Sequence, residues 1–147
     1  MIAKLIDWIE GSLSPSNSPQ REPDLNAVTA VLYVELLRSD HVIQAEELSL
    51  LAEVLSSQFS LSSSEVADLI DNAQQHIEES ADLVQFTRVV NQHCDIPSKC
   101  QLIENLWRLA YADNHLDGHE EAFIRKVADL LYVSHSDFIR SKLKVRA

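Results

Sequence analysis

The sequence predicts a single all-α domain. Only two glycines and four prolines occur in 147 residues, so the turns of a β-rich fold are in short supply. Apolar residues recur at helical spacing along most of the chain, and no stretch keeps the alternation of a β-strand. A chain of this length most simply forms one domain and buries roughly 68–70% of its unfolded surface. We therefore expect a compact domain of seven to eight helices.

The first 23 residues have a different character from the rest. Apolar side chains at helical spacing predict an amphipathic helix over residues 1–13, and residues 14–23 carry three of the four prolines, which is typical of a linker. The helical domain then spans residues 24–147. Because the linker has few apolar residues to pack, we expect removal of residues 1–20 to leave the melting temperature nearly unchanged.

The charge of the chain limits its partners. A formal net charge of -11 argues against nucleic acid, because binding to phosphates needs clustered lysines and arginines. It suits a basic protein surface or divalent cations. No apolar run is long enough to span a membrane, residues 1–13 lack the apolar core of a secretory signal, and Cys94 and Cys100 fit a reducing compartment. We expect a cytoplasmic protein with no transmembrane segment.

Capping residues mark several predicted helix ends. Ser62 with Glu65 and Ser134 with Asp137 have the spacing of helix N-terminal caps, and Pro97 suits an early helix position.

Two apolar faces can also be assigned from spacing. The first main helix carries its apolar side at Val31, Val34, Leu36 and Leu37, and a later one at Ile103, Leu106, Trp107 and Ala110. Trp107 is therefore predicted to be buried.

The second half of the sequence resembles the first at one constant separation. The separation is 73 residues, and the identical pairs include Leu36 and Leu109, Asp40 and Asp113, Glu47 and Glu120, and Val54 and Val127. Several further pairs match apolar with apolar. Two helical hairpins of one ancestral pattern tend to pack about a pseudo-two-fold axis, which brings their loops together. Two copies are too few for a solenoid.

Carboxylates gather in the turn of the second hairpin. Asp113, Asp117 and Glu120 lie between two helical patterns, and Asp40 and Glu47 repeat the first and last of them in the first hairpin. Oxygen ligands of this kind are what Ca²⁺, Mg²⁺ and Mn²⁺ prefer. The five residues are therefore candidate ligands for divalent cations. Capping offers a simpler explanation for Asp117 and Glu120, because acidic side chains stabilise a helix N-terminus. Capping explains neither Asp113 nor the recurrence of the same Asp-to-Glu spacing at Asp40 and Glu47.

Other metal sites and catalytic sites find less support. An EF-hand loop beginning at Asp113 would need a glutamate where Ile124 stands. His115 and His119 have the spacing of a zinc-binding helix, but they lack the glutamate of that motif and a nearby cysteine. The chain contains no nucleophile elbow and no glycine-rich phosphate loop. We therefore expect that the protein is not an enzyme.

Two strings carry a family resemblance. Residues 109–121 (L-A-Y-A-D-N-H-L-D-G-H-E-E) and residues 39–48 (S-D-H-V-I-Q-A-E-E-L) resemble the TerB-like family of tellurite-resistance proteins, and the likeness extends over residues 25–143. The resemblance implies an all-helical fold with internal pseudo-symmetry and an acidic centre that binds a divalent metal. It also implies a role in stress-response complexes at the inner face of the membrane. The family's acidic positions fall on Asp40, Glu47, Asp113, Asp117 and Glu120.

The match to the family pattern is imperfect in the first hairpin. Gln44 stands where the acid equivalent to Asp117 is expected, and His41 replaces a glycine. In the second hairpin Asn114 replaces a glycine, which is tolerable because asparagine also accepts a left-handed backbone. The sequence thus predicts at most one good metal site. The alternative hypothesis is a metal-free adaptor whose acidic face binds a basic protein.

Overall fold

Seven α-helices run through the part of the chain that the computed structural model describes, which comprises residues 25–38, 43–76, 83–112 and 118–146. No strand occurs in these ranges, which confirms the prediction of an all-α fold. The predicted helix at residues 1–13 and the linker at 14–23 lie outside them. The helices are α1 (Leu25–Leu37), α2 (Ala45–Phe59), α3 (Ser63–His76), α4 (Leu83–His93), α5 (Ile96–Ala110), α6 (Gly118–Leu130) and α7 (His135–Arg146).

Helix α1 lies at the centre of the fold. Ten of its thirteen residues are buried, including those opposite the apolar side that the sequence predicts. The reason is that α1 packs against five other helices, α2 through α6. A helix that is apolar all round is expected in such a position. The four residues assigned to an apolar side are therefore only part of the buried surface of this helix.

Helix boundaries recur at the separation that the sequence repeat predicts. Helix α1 ends at Leu37 and α5 at Ala110, and α2 begins at Ala45 and α6 at Gly118. The packing repeats as well. Within the first unit α1 contacts α3, and within the second α5 contacts α7. Between the units, α1 contacts α6 and α5 contacts α2, so each of these contacts is the counterpart of the other. This pattern is the one expected for a pseudo-two-fold axis passing between α1 and α5.

The turns that follow α2 and α6 are built alike. Each contains a non-glycine residue in the left-handed region, Ser60 with φ 56° and Tyr132 with φ 61°. In each, the next residue's N–H donates to a carbonyl five residues back, at 3.2 Å for Leu61 and 3.0 Å for Val133. Glycine is the usual residue at this position because a side chain disfavours the left-handed region.

The predicted caps begin the helices after these turns. The N–H of Glu65 donates to Ser62 Oγ at 3.2 Å, and the N–H of Ser62 donates to Glu65 Oε1 at 2.8 Å. The N–H of Asp137 donates to Ser134 Oγ at 3.1 Å. Pro97 is the second residue of α5, as predicted from its fixed backbone angle.

Trp107 is fully buried, which confirms the prediction from helical spacing. Its ring packs on Tyr111 and Phe138, with centroid separations of 6.1 and 5.3 Å. The ammonium of Lys142 lies 5.2 Å from the centroid of the indole and also pairs with Glu121 at 3.2 Å. These contacts attach α7 to α5 and α6. None of the described helices is both long and apolar enough to cross a bilayer.

Candidate acidic site

Glu47 and Glu120 occupy the same place in two equivalent helices. Each is the third residue of its helix, α2 or α6, and the exposed fractions of the two residues are 7% and 5%. Glutamates are almost never this deeply buried unless they are paired. The two carboxylates that the sequence predicts in α2 and α6 are therefore brought to matching buried positions by the fold.

The surroundings of Glu47 show one reason for its position. The backbone N–H of Gln44, the residue before α2, donates to Glu47 Oε1 at 2.8 Å. An acidic side chain in the first turn is also favoured by the helix dipole. In the sequence, Gln44 stands out only because the family pattern has an acidic residue at its position. In the structure, its backbone N–H gives the Glu47 carboxylate a capping partner. Glu46, one residue earlier, is exposed.

The three predicted aspartates, Asp40, Asp113 and Asp117, lie outside the described residues. They belong to residues 39–42 and 113–117, within the connections from α1 to α2 and from α5 to α6. Within the described ranges, no three histidine, cysteine or acidic side chains form a group that could hold a metal ion. The five-residue metal site stays a prediction.

Glu35 is an acidic residue that the sequence analysis missed. It is partly buried near the end of α1, and its Oε1 atom is buried without a hydrogen-bond partner. Burial raises the pKa of its carboxyl, and the neighbouring Arg38 partly offsets this. The signal was available, because Glu35 is the only charged residue of α1. It lies shortly before Asp40 in the sequence.

Two clefts occur elsewhere in the described part of the fold, and neither is lined by Glu47 or Glu120. One of about 150 Å³ is lined by charged side chains of α5 and α7 that pair with each other, Arg140 with Asp137 and Lys144 with Glu104. Another, of about 250 Å³, lies where α1, α2 and α5 meet, and its lining includes Cys94. Because the charges of the first cleft are already paired, it offers no obvious acid or base for catalysis.

A comparison with known protein families gives a match that covers nearly all of both repeat units. The family model described as "Tellurite resistance protein TerB" matches residues 26–143 of the chain. This range begins at the second residue of α1 and ends within α7, so it covers nearly all of both repeat units. No curated protein and no solved structure matches the chain.

Proposed function

The chain belongs to the TerB family, and we propose that it is a non-enzymatic module in which one divalent cation joins the two repeat units. The observation that carries the proposal is the burial of Glu47 and Glu120 at equivalent positions. A buried carboxylate loses its hydration and needs compensation from a cation or from hydrogen-bond donors. A single cation near the pseudo-two-fold axis would compensate both.

The chemistry of the donors indicates which cation would bind. Asp40, Asp113 and Asp117 would add three carboxylates to the two glutamates, so that every ligand is oxygen. Such a set fits Ca²⁺, Mg²⁺ or Mn²⁺ better than zinc, which favours nitrogen and sulfur. When bound, the ion would supply positive charge to a protein of net charge -11 and fix the two units to each other. In the cell this module would act within stress-response complexes at the inner face of the membrane.

A second candidate function rests on the contact of Glu47. Because the N–H of Gln44 already donates to its carboxylate, part of the compensation for burial is present without an ion. The module would then be a metal-free adaptor whose acidic face binds a basic protein. The high negative charge supports this alternative as well.

Calorimetric titration and thermal melting separate the two functions. Chelator-treated protein is titrated with Ca²⁺, Mg²⁺, Mn²⁺ and Zn²⁺, and the melting temperature is measured with each. Binding to the folded state alone stabilises it by about 2.7 kcal/mol when the ion is at about 100 times its Kd. We expect one of the first three ions to produce this gain and zinc to produce less.

Matched variants locate the bound ion. Glu47→Gln should lose most of the ion-dependent gain, whereas Glu46→Gln removes the same charge from the adjacent exposed position and should keep it. If no ion stabilises the wild-type chain, the metal function fails. Titration with a lysine-rich peptide then tests the adaptor, with salt-sensitive binding as the expected result.

A further inference from the structure

Ile96, Lys99 and Tyr132 form a surface away from the acidic site, which we call the Tyr132 surface. Tyr132 is 76% exposed and Ile96 is 48% exposed, both high values for large apolar side chains. Lys99 joins them, because it lies three residues after Ile96 on α5 and its Nζ is 5.9 Å from the Tyr132 ring centroid. Two exposed apolar side chains thus flank a cation.

The backbone of Tyr132 indicates that the fold does not require this side chain. The corresponding turn in the first repeat unit holds Ser60 in the same left-handed conformation and forms the same hydrogen bond. A bulky residue in this conformation is unusual, and burial does not account for it, because Tyr132 is exposed. Strain of this kind collects at functional sites, and tyrosine is among the residues that dominate binding energy at protein interfaces.

Lys99 gives the surface its chemical preference. The residue is only 8% exposed, yet among the described residues it forms no ion pair, and its ammonium lies against the Tyr132 ring. Lys142 and Lys144, by contrast, each pair with a glutamate. The chain has 23 acidic residues for 12 basic ones, so carboxylates are plentiful, but none in the described ranges pairs with Lys99. A carboxylate from another molecule would give this ammonium the counterion that the described residues do not supply.

We propose that the Tyr132 surface binds a short segment of a partner protein in which a carboxylate neighbours an aromatic or aliphatic side chain. The carboxylate pairs with Lys99, and the apolar side chain packs on Tyr132 and Ile96. This partner has the opposite charge to the basic protein that an acidic face would attract. The surface therefore serves a different contact and does not depend on metal binding.

Selection from a displayed library of random dodecapeptides, using the whole chain as the target, tests the proposal. The enriched peptides should carry aspartate or glutamate within two residues of an aromatic or aliphatic residue. A synthetic copy of one enriched peptide is then titrated. Changing its acid to the amide should weaken binding about tenfold, because a charge-assisted hydrogen bond is lost. In Lys99→Met, which keeps the apolar stem of the side chain, the acid and amide peptides should bind equally.

Glycine variants of the two equivalent turns provide the control. Tyr132→Gly should fold, since glycine favours the left-handed conformation, and should lose peptide binding. Ser60→Gly makes the same backbone change in the first repeat unit and should bind as the wild type does. The proposal is overturned if no peptide is enriched, if basic peptides are enriched, or if the enriched peptides bind Tyr132→Gly as well as the wild type.

Discussion

The side-chain amide of Asn105 donates a hydrogen bond to the hydroxyl of Tyr33 at 3.1 Å, and so joins the central helices of the two repeat units. The same amide donates to Gln58 Oε1 at 3.0 Å, and the hydroxyl of Tyr33 donates to that oxygen at 2.6 Å. Tyr33 is fully buried, and this burial raises its pKa. The three side chains connect α1, α2 and α5 beside the pseudo-two-fold axis.

Tyr33→Phe should destabilise the protein, because it removes a hydroxyl that both donates and accepts a hydrogen bond in a buried network. We expect the free energy of unfolding to fall by about 1–3 kcal/mol in urea denaturation. Tyr111→Phe is the control, since Tyr111 is half-buried, and its change should stay within about 0.5 kcal/mol. Equal losses in the two variants would show that the network contributes nothing specific.

Trp107→Ala should be among the most damaging substitutions in the core. The indole is fully buried between Tyr111, Phe138 and Lys142, so its removal leaves a large cavity. The expected loss in the free energy of unfolding is about 3–5 kcal/mol. Val84→Ala, at a position 53% exposed, should cost less than about 0.5 kcal/mol. A loss below about 1 kcal/mol for Trp107→Ala would contradict its place in the core.

The elements that the sequence predicts well are those that depend on local or repeated patterns. Capping serines at Ser62 and Ser134 mark helix starts because the cap and its N–H partner are three residues apart. The constant separation of the repeated residues, such as Val54 and Val127, predicts equivalent helix ends because both units share one sequence pattern. Helix type, several boundaries and the burial of Trp107 follow from such signals.

The polar groups of the interior follow from no local pattern. Tyr33 and Asn105 are 72 residues apart, and the fold alone brings them together. The burial of Glu35 and Lys99 is also not predicted, because the spacing of apolar residues carries no information about charged residues in the same helix. Their burial depends on which helices cover them. In the acidic site, the sequence predicts Glu47 and Glu120 as candidates, but their burial is a property of the packed repeat.

Glu35→Gln should stabilise metal-free protein at neutral pH. Because burial raises the pKa of Glu35 in the folded state, the unfolded chain releases this proton at a lower pH than the folded one does. Stability therefore falls as the pH rises through the interval between the two pKa values, and the deficit persists above it. Removing the carboxylate should restore up to about 1 kcal/mol at neutral pH.

Melting of Glu35→Gln and wild type in chelator across a pH series measures this effect. The advantage of the variant should shrink as the pH falls toward the ordinary carboxyl value of 4.5, where the wild-type carboxyl is also protonated. Glu53→Gln, at an exposed position of α2, should show no such pH-dependent advantage. An advantage for Glu35→Gln that is constant at every pH would contradict the titration of Glu35 as its cause.

Asp113 should serve function rather than folding. It comes shortly after the end of α5 at Ala110, and a negative charge near a helix C-terminus is opposed by the dipole by about 0.3–1 kcal/mol. Its predicted neighbours Asp117 and Glu120 carry the same charge, which adds to the cost without a cation. In chelator, Asp113→Asn should therefore be as stable as the wild type or slightly more stable.

When a divalent ion is added, wild type should become more stable than Asp113→Asn. Wild type should gain stability in Ca²⁺ or Mn²⁺, and Asp113→Asn should gain much less, because it has lost a charged ligand. Glu120→Gln, at the third position of α6, should lose helix N-terminal stabilisation in chelator as well as ion-dependent stability. Melting all three proteins with chelator and with each ion distinguishes these behaviours. If Asp113→Asn gains as much from the ion as the wild type does, Asp113 is not a ligand, and the metal-free adaptor becomes the better account of its charge.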